Sequence, residues 1–304
     1  MSDQIKKFLL EDRSVRVSAV ELQDVWQAAL LRQTHAPAIE HLLGELMGAA
    51  ALLTSSIKFD GSLLLQLQGQ GSVRLIVVEC RADMSMRATV RAGSEPLADE
   101  EGLRDIINPD GQGRFSVIIN PPKTEAGRLQ QPYQGIVSAD TENVAQAIEQ
   151  YMTQSEQLDT RLWLHVSSEC VRGLMLQRMP VSGGIDSTTA EQALETWEHA
   201  LALCSTLTPQ EMAETDIETL LQRLFWERPV ISLETKDAHW HCGCTRERVQ
   251  TMLKSLGRSE VDDILDKESI VEITCEFCAE RYTFDAQQVA DLFASDTPIS
   301  GTLH

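Results

Sequence analysis

The chain has 304 residues, of which 42% are hydrophobic and 24% charged, an ordinary globular composition with length for about two domains. Its formal net charge of −20 argues against a nucleic-acid partner and against docking on anionic membranes, since both rely on a surplus of Lys and Arg. The charge is uneven: residues 185–304 carry nine basic and 23 acidic side chains, whereas residues 1–184 carry a net charge of only −6, so the two parts are built differently.

In chain order, the N-terminal MSDQIKKFLLED has two lysines but no apolar stretch of export-signal length. The longest apolar run, Met47 to Leu53, falls far short of the ~20 residues of a membrane span. The expectation is a soluble, cytoplasmic protein. Val15 to Val20 reads as a strand, and 22–34 as a helix striped by Leu22, Trp26, Ala29 and Leu30. Pro37 opens a second helix, with Ile39, Leu42, Leu43, Leu46 and Met47 at helical spacing, ending near Lys58 to Gly61.

Strand candidates follow at Leu63–Gln68, Val73–Glu79, Met84–Val90, Arg114–Ile119 and Tyr133–Ser138. A helix at 141–152 then precedes two more, Arg161–Val166 and Leu174–Met179. Strands in runs with helices beside them imply an α+β domain. The stretch Pro180 to Gly184 reads as a linker.

Three short acidic helices come next. The first carries the stripe Ala190, Ala193, Leu194, Trp197, Leu201 and Cys204; the second and third begin at the capping boxes Thr208–Glu211 and Thr215–Glu218. In the third, Leu220, Leu221, Leu224 and Phe225 share a face. Their apolar stripes need a partner, expected to be the sheet holding Leu63–Gln68 and Val73–Glu79. From Pro229 the pattern changes again: a strand at Val230–Leu233, helices at 245–256 and 260–266, strands at Ile270–Thr274 and Arg281–Phe284, and a last helix at 285–294.

The chemistry concentrates in Cys242-Gly243-Cys244 and, 30 residues on, Cys275-Glu276-Phe277-Cys278. Four thiolates in two couplets can enclose zinc tetrahedrally. Gly243 eases the first turn, and Tyr282 and Phe284 alternate as a strand covering such a site would. Three readings compete: buried structural cysteines, a structural zinc ribbon, and a redox site. The single residue between Cys242 and Cys244 puts a local disulfide within reach as well. His239 and His241 flank the first couplet, but the cysteine set is already complete. Cys80, Cys170 and Cys204 fall on apolar faces and read as buried thiols. Gly69-Gln70-Gly71 and Gly111-Gln112-Gly113 lack the third glycine and the following helix of a dinucleotide loop. No HExxH, GxSxG or Walker motif occurs, and the His and carboxylates form no recognisable catalytic set, so an enzyme is not expected.

The tetrad and its 30-residue gap resemble the 33-kilodalton heat-shock protein family of redox-regulated holdase chaperones. The likeness extends to Leu52 through Gly61, Leu65 through Gly69, Tyr133 through Val137, Ser155 through Leu158, Gly173 through Gln177 and Cys244 through Arg248. Ala279, where glycine is common, departs from the pattern. The resemblance implies a substrate-binding and dimerisation domain (1–180), a helical linker (181–229) and a zinc-binding redox-switch domain (230–304). It implies one zinc on Cys242, Cys244, Cys275 and Cys278 in an inactive reduced state. Oxidation would release zinc and form Cys242–Cys244 and Cys275–Cys278. The linker would then unfold, and the protein, as a homodimer, would hold unfolding clients without ATP. Trp197, Leu201, Leu221 and Phe225 are the client-contact candidates.

Overall fold

The computed structural model describes residues 3–93, 102–122, 131–180, 189–227 and 230–294. They divide into two compact units, Met1–His241 and Cys242–His304. Residues 181–188 and 228–229 of the expected linker lie outside the described residues.

The first unit opens with a hairpin of β1 (Gln4–Leu10) and β2 (Val15–Leu22). Sequence reading missed β1, because QIKKFLL does not alternate cleanly; pairing with β2 decides its conformation. Helices α1 (Asp24–Leu30) and α2 (Pro37–Ser56) follow. Then come β3 (Ser62–Gln68), β4 (Val73–Arg81), β5 (Ser85–Ala92), α3 (Leu103–Ile107), β6 (Arg114–Asn120) and β7 (Tyr133–Ser138). Helix α4 (Val144–Tyr151) runs into a π-helical turn, Met152–Glu156, before β8 (Thr160–Val166) and β9 (Val171–Arg178). Three helices, α5 (Ala190–Cys204), α6 (Pro209–Glu214) and α7 (Ile217–Leu224), lead to β10 (Val230–Asp237) and β11 (His239–Trp240).

Two sheets result. One is five-stranded, in the order β10-β1-β2-β9-β8; the other is six-stranded, in the order β11-β5-β4-β3-β6-β7. Helix α2 packs against β4 of one sheet and against β2 and β9 of the other. Nearly every residue from Leu42 to Ser55 is therefore buried, which is why its sequence is apolar well beyond one stripe. Gly69 and Gly71 are small for a packing reason: a Cβ on either would meet the carbonyl oxygen of Ile107 or Ile106 at 1.6 or 2.2 Å. The close approach of α3 explains both glycines without a nucleotide.

The period of two along β2 and β9 sorts side chains to opposite faces of the five-stranded sheet. Val20, Val171 and Met175 join the core around α2. Val15, Val17, Ala19, Leu174 and Leu176 form a second core with Trp197, Ala200, Cys204, Ile217, Leu221 and Phe225. The three acidic helices thus lie on the β1-β2-β9 face, not on the sheet of β3 and β4. The expected partner was wrong because α2 covers one face of each sheet, and the remaining face is apolar only on β2 and β9; on β3 and β4 it carries Gln66, Gln68 and Glu79, the last paired with Arg81 and Arg87. The buried stripe of α5 is Ala193, Thr196, Trp197, Ala200 and Cys204; Leu194 stays exposed. Side-chain caps start these helices: Thr189 accepts from the Gln192 N–H, Thr208 from Glu211 and Asp216 from Thr219.

The boundary expected at 230 also moves. β10 pairs along its length with β1, and β11 with β5. Ladder hydrogen bonds tie this stretch to the first unit, and the second unit begins at Cys242. That unit contains α8 (Arg246–Leu256), α9 (Arg258–Glu268), the hairpin β12 (Val271–Thr274) and β13 (Arg281–Phe284), and α10 (Ala286–Ala294). Its buried core is Val249, Leu253, Val261, Val271, Phe284, Val289 and Leu292.

Candidate metal centre

The first couplet precedes α8, whose N-cap Thr245 accepts a hydrogen bond from the Arg248 N–H. Arg248 Nη1 reaches back to donate to the Gly243 carbonyl at 2.6 Å, fastening the turn between the two sulfurs. The second couplet is the turn of the β12–β13 hairpin. Cys275 N–H donates to Glu280 O and Ala279 N–H to Cys275 O, both at 2.9 Å. The left-handed residue of this knuckle is Ala279, with φ 57°, whereas Gly243 is not among the residues of positive φ. A Cβ in that conformation costs about 1–2 kcal/mol, so the departure from glycine at 279 leaves strain beside the site.

The two turns bring all four sulfurs within 4.8 Å of one another. Cys242 and Cys275 approach to 3.7 Å, and Cys244 and Cys278 to 3.2 Å. A tetrahedron with metal–sulfur bonds of ~2.3 Å has edges of about 3.8 Å, so the arrangement fits a metal ion held by four thiolates. Neither His239 nor His241 belongs to the cluster.

Tyr282, on β13, donates its hydroxyl to Cys244 Sγ at 3.3 Å. That bond holds the phenol above its ordinary pKa. Burial and the bond from Cys244 likewise push the Cys278 thiol up. Four adjacent sulfurs resist sharing four negative charges by themselves, and a divalent cation removes that cost. Phe284, two residues on, fills the core while the Arg246 guanidinium sits 4.2 Å from its ring centre. Sequence alternation indicated that Tyr282 and Phe284 cover the site; the hydroxyl–sulfur contact and the roles of Arg246 and Arg248 had no sequence signal, because each depends on side-chain reach.

The remaining cysteines are buried and unpaired. Burial raises the Cys80 and Cys204 thiols to about 12, which keeps them protonated and unreactive. Of the client-contact candidates, Trp197, Leu221 and Phe225 are 7%, 2% and 4% exposed in the core on the β1-β2-β9 face. Leu201 is half-buried and lies outside that core.

An α+β unit followed by a small module with four thiols on two turns defines a protein with a cysteine-cluster metal centre. Residues 3–285 match the family model described as "Hsp33 protein". The 33 kDa chaperonin of Pseudomonas aeruginosa is 36% identical over 294 residues, covering 96% of this chain and 95% of its own length. That of Chromobacterium violaceum is 37% identical, covering 97% and 95%. The crystal structure of the 33 kDa chaperonin from Thermotoga maritima shares the fold at a TM-score of 0.80 and 24% identity, covering 98% of this chain and all of that one. The chain therefore belongs to the Hsp33 family, whose members are non-enzymatic chaperones. No helix among the described residues is long and apolar enough to cross a membrane.

Proposed function

We propose that this chain is a redox-regulated holdase of the cytoplasm, ATP-independent, inactive when reduced and zinc-bound. The observation that carries the reading is the four-sulfur cluster, set in a module whose core, among the described residues, is seven buried apolar side chains. Zinc would be held by Cys242, Cys244, Cys275 and Cys278, and when bound it would keep all four as thiolates. Thiolate is the form that attacks peroxide. Each sulfur attacking hydrogen peroxide becomes a sulfenic acid and releases hydroxide. The neighbouring thiolate of the same couplet then displaces a second hydroxide and closes the disulfide. Two peroxides are thereby reduced, and Cys242–Cys244 and Cys275–Cys278 form.

Loss of the metal removes the main support of a small module, since structural zinc supplies ~10–16 kcal/mol of folding energy in comparable units. The helical stretch 189–227 then opens, and self-repulsion within an acidic segment favours the open form. Opening uncovers Trp197, Leu221 and Phe225, together with the Val15, Val17 and Leu176 face beneath them. A surface of that kind holds unfolding clients. The active form is a homodimer.

Light scattering from an aggregating client tests the reading. The reduced, zinc-loaded protein should leave aggregation unchanged, and the peroxide-treated protein should suppress it. Equal suppression by both forms would sink the redox switch.

A further inference from the structure

The segment Thr54 to Phe59, singled out in the sequence but unused by the metal centre, walls a cavity of about 420 Å³ in the first unit. The cavity lies where α2 ends over β10, β1 and β2. Its lining brings together Lys7, Arg16, Lys58 and Lys236 with one carboxylate, Glu234. In a chain of net charge −20, four cations around one acid are a local reversal of sign.

Structural pairing accounts for half of them. Lys7 donates to the Ser55 carbonyl at 2.8 Å and pairs with Glu234; Lys236 is 3.7 Å from the same carboxylate. Lys58 and Arg16 have no carboxylate partner among the described residues. Arg16 instead donates to the neutral Gln177 amide, with Nε at 3.2 Å. Burial pulls its guanidinium down from the ordinary value, which is the mark of a charge removed from water without compensation. The Thr54 side chain, in a residue only 1% exposed, also lines the cavity; its hydroxyl has no nitrogen or oxygen partner and lies beside the Cys80 thiol.

We propose that this cavity binds a phosphoanhydride, an anion carrying at least two linked phosphate groups. Three ammonium groups act as point charges suited to tetrahedral oxyanions, and a guanidinium adds a planar fork. The space exceeds what one carboxylate fills. Phe59 and Leu233 on the same lining leave room for an apolar appendage, so the anhydride can be inorganic or part of a nucleotide. β10 supplies Leu233, Glu234 and Lys236, so the ligand binds only while that strand is docked on β1.

The test is calorimetric titration of the full-length zinc-loaded protein at fixed ionic strength, with inorganic pyrophosphate in one arm and ADP in the other. One site per chain is expected. Lys58→Glu should weaken it by about tenfold, and Glu234→Gln should tighten it by roughly threefold, because each changes the charge around the anion by direct Coulomb interaction. A gain in affinity cannot come from misfolding, so the second variant protects the first. Tighter binding of ADP assigns the site to a nucleotide; equal binding assigns it to the phosphate chain. No heat with either ligand overturns the proposal. So does heat unchanged in both variants but lost in Cys244→Ser, which would mean chelation at the cysteine cluster. Neither outcome bears on the redox reading.

Discussion

The two units are held together by different physics. In the first, α2 is enclosed by two sheets, and its core runs from Ile5 to Ala238 through more than 40 buried side chains. In the second, seven buried apolar residues among those described support three helices and one hairpin. Apolar burial contributes roughly 25 cal/mol per Å², so the first unit can stand on its core alone. The second has far less, and on the proposed reading a metal held by its two cysteine turns supplies the difference. Under the proposed function, that unit can be dismantled without unfolding its neighbour only if the two draw on separate sources of stability.

The largest expected effect breaks that contrast directly. Removing zinc by chelation, or making Cys244→Ser, should cost the second unit the order of 10 kcal/mol. Hydrogen exchange should then show 242–294 unprotected while β1–β9 keep their protection. Retained protection in both would mean that the small core suffices. A matched pair sharpens the point. Phe115→Ala and Phe284→Ala each remove a side chain that is 0% exposed and should each cost ~3–5 kcal/mol. The first variant should stay folded with a lower Tm. The second should lose its cooperative transition in the C-terminal unit and bind zinc more weakly.

Within the first unit, the helical stretch 189–227 draws on a smaller core of its own. Leu221→Ala should cost ~2–5 kcal/mol at a site 2% exposed. It should make the reduced, zinc-bound protein suppress client aggregation. Were the helices unprotected in exchange and the protein still inactive until oxidised, the stretch would not be the gate. Ala279→Gly works in the opposite direction. It relieves a left-handed alanine and should stabilise the knuckle by about 1 kcal/mol, slowing zinc release under peroxide.

The smallest effect concerns acid. The Thr219 N–H holds the Asp216 carboxyl below its ordinary pKa. A depressed carboxylate contributes stability above its unfolded value and loses it as pH falls through the folded one. Circular dichroism of the wild type should therefore show α7 loosening at the acidic end, and Asp216→Ala should lack that step while costing about 1 kcal/mol at neutral pH as a lost cap.

Much of this was legible in the residues. The strands of the six-stranded sheet announce themselves by β-rich runs between turn residues, and β3 to β7 lie within a few residues of their expected bounds. A capping box marked the start of α6 because the signal is local: a hydroxyl and the N–H three residues on. At α7 the expected box at Thr215–Glu218 does not form; the cap is the next residue, Asp216, whose carboxylate accepts from the Thr219 N–H. The cysteine couplets were equally plain, since a turn that holds two sulfurs is a property of three or four consecutive residues. β1 was hidden because Lys6 and Lys7 interrupt its alternation, and only the facing strands on both sides make it extended.

Sequence alone determined the α+β class, the helical stretch and the four thiols, because these follow from composition, period and spacing along the chain. Tertiary structure decided what local rules do not contain. The helices at 189–227 were placed on β1-β2-β9, since α2 covers one face of each sheet and only there is the second face apolar. The stretch 230–241 went to the first unit, because strand pairing with β1 and β5 outweighs nearness to the cysteines in sequence. The same packing gathered Lys7, Arg16, Lys58 and Lys236, distant in the chain, around one cavity. Charge spread over more than two hundred residues carries no pattern until the sheet brings it together.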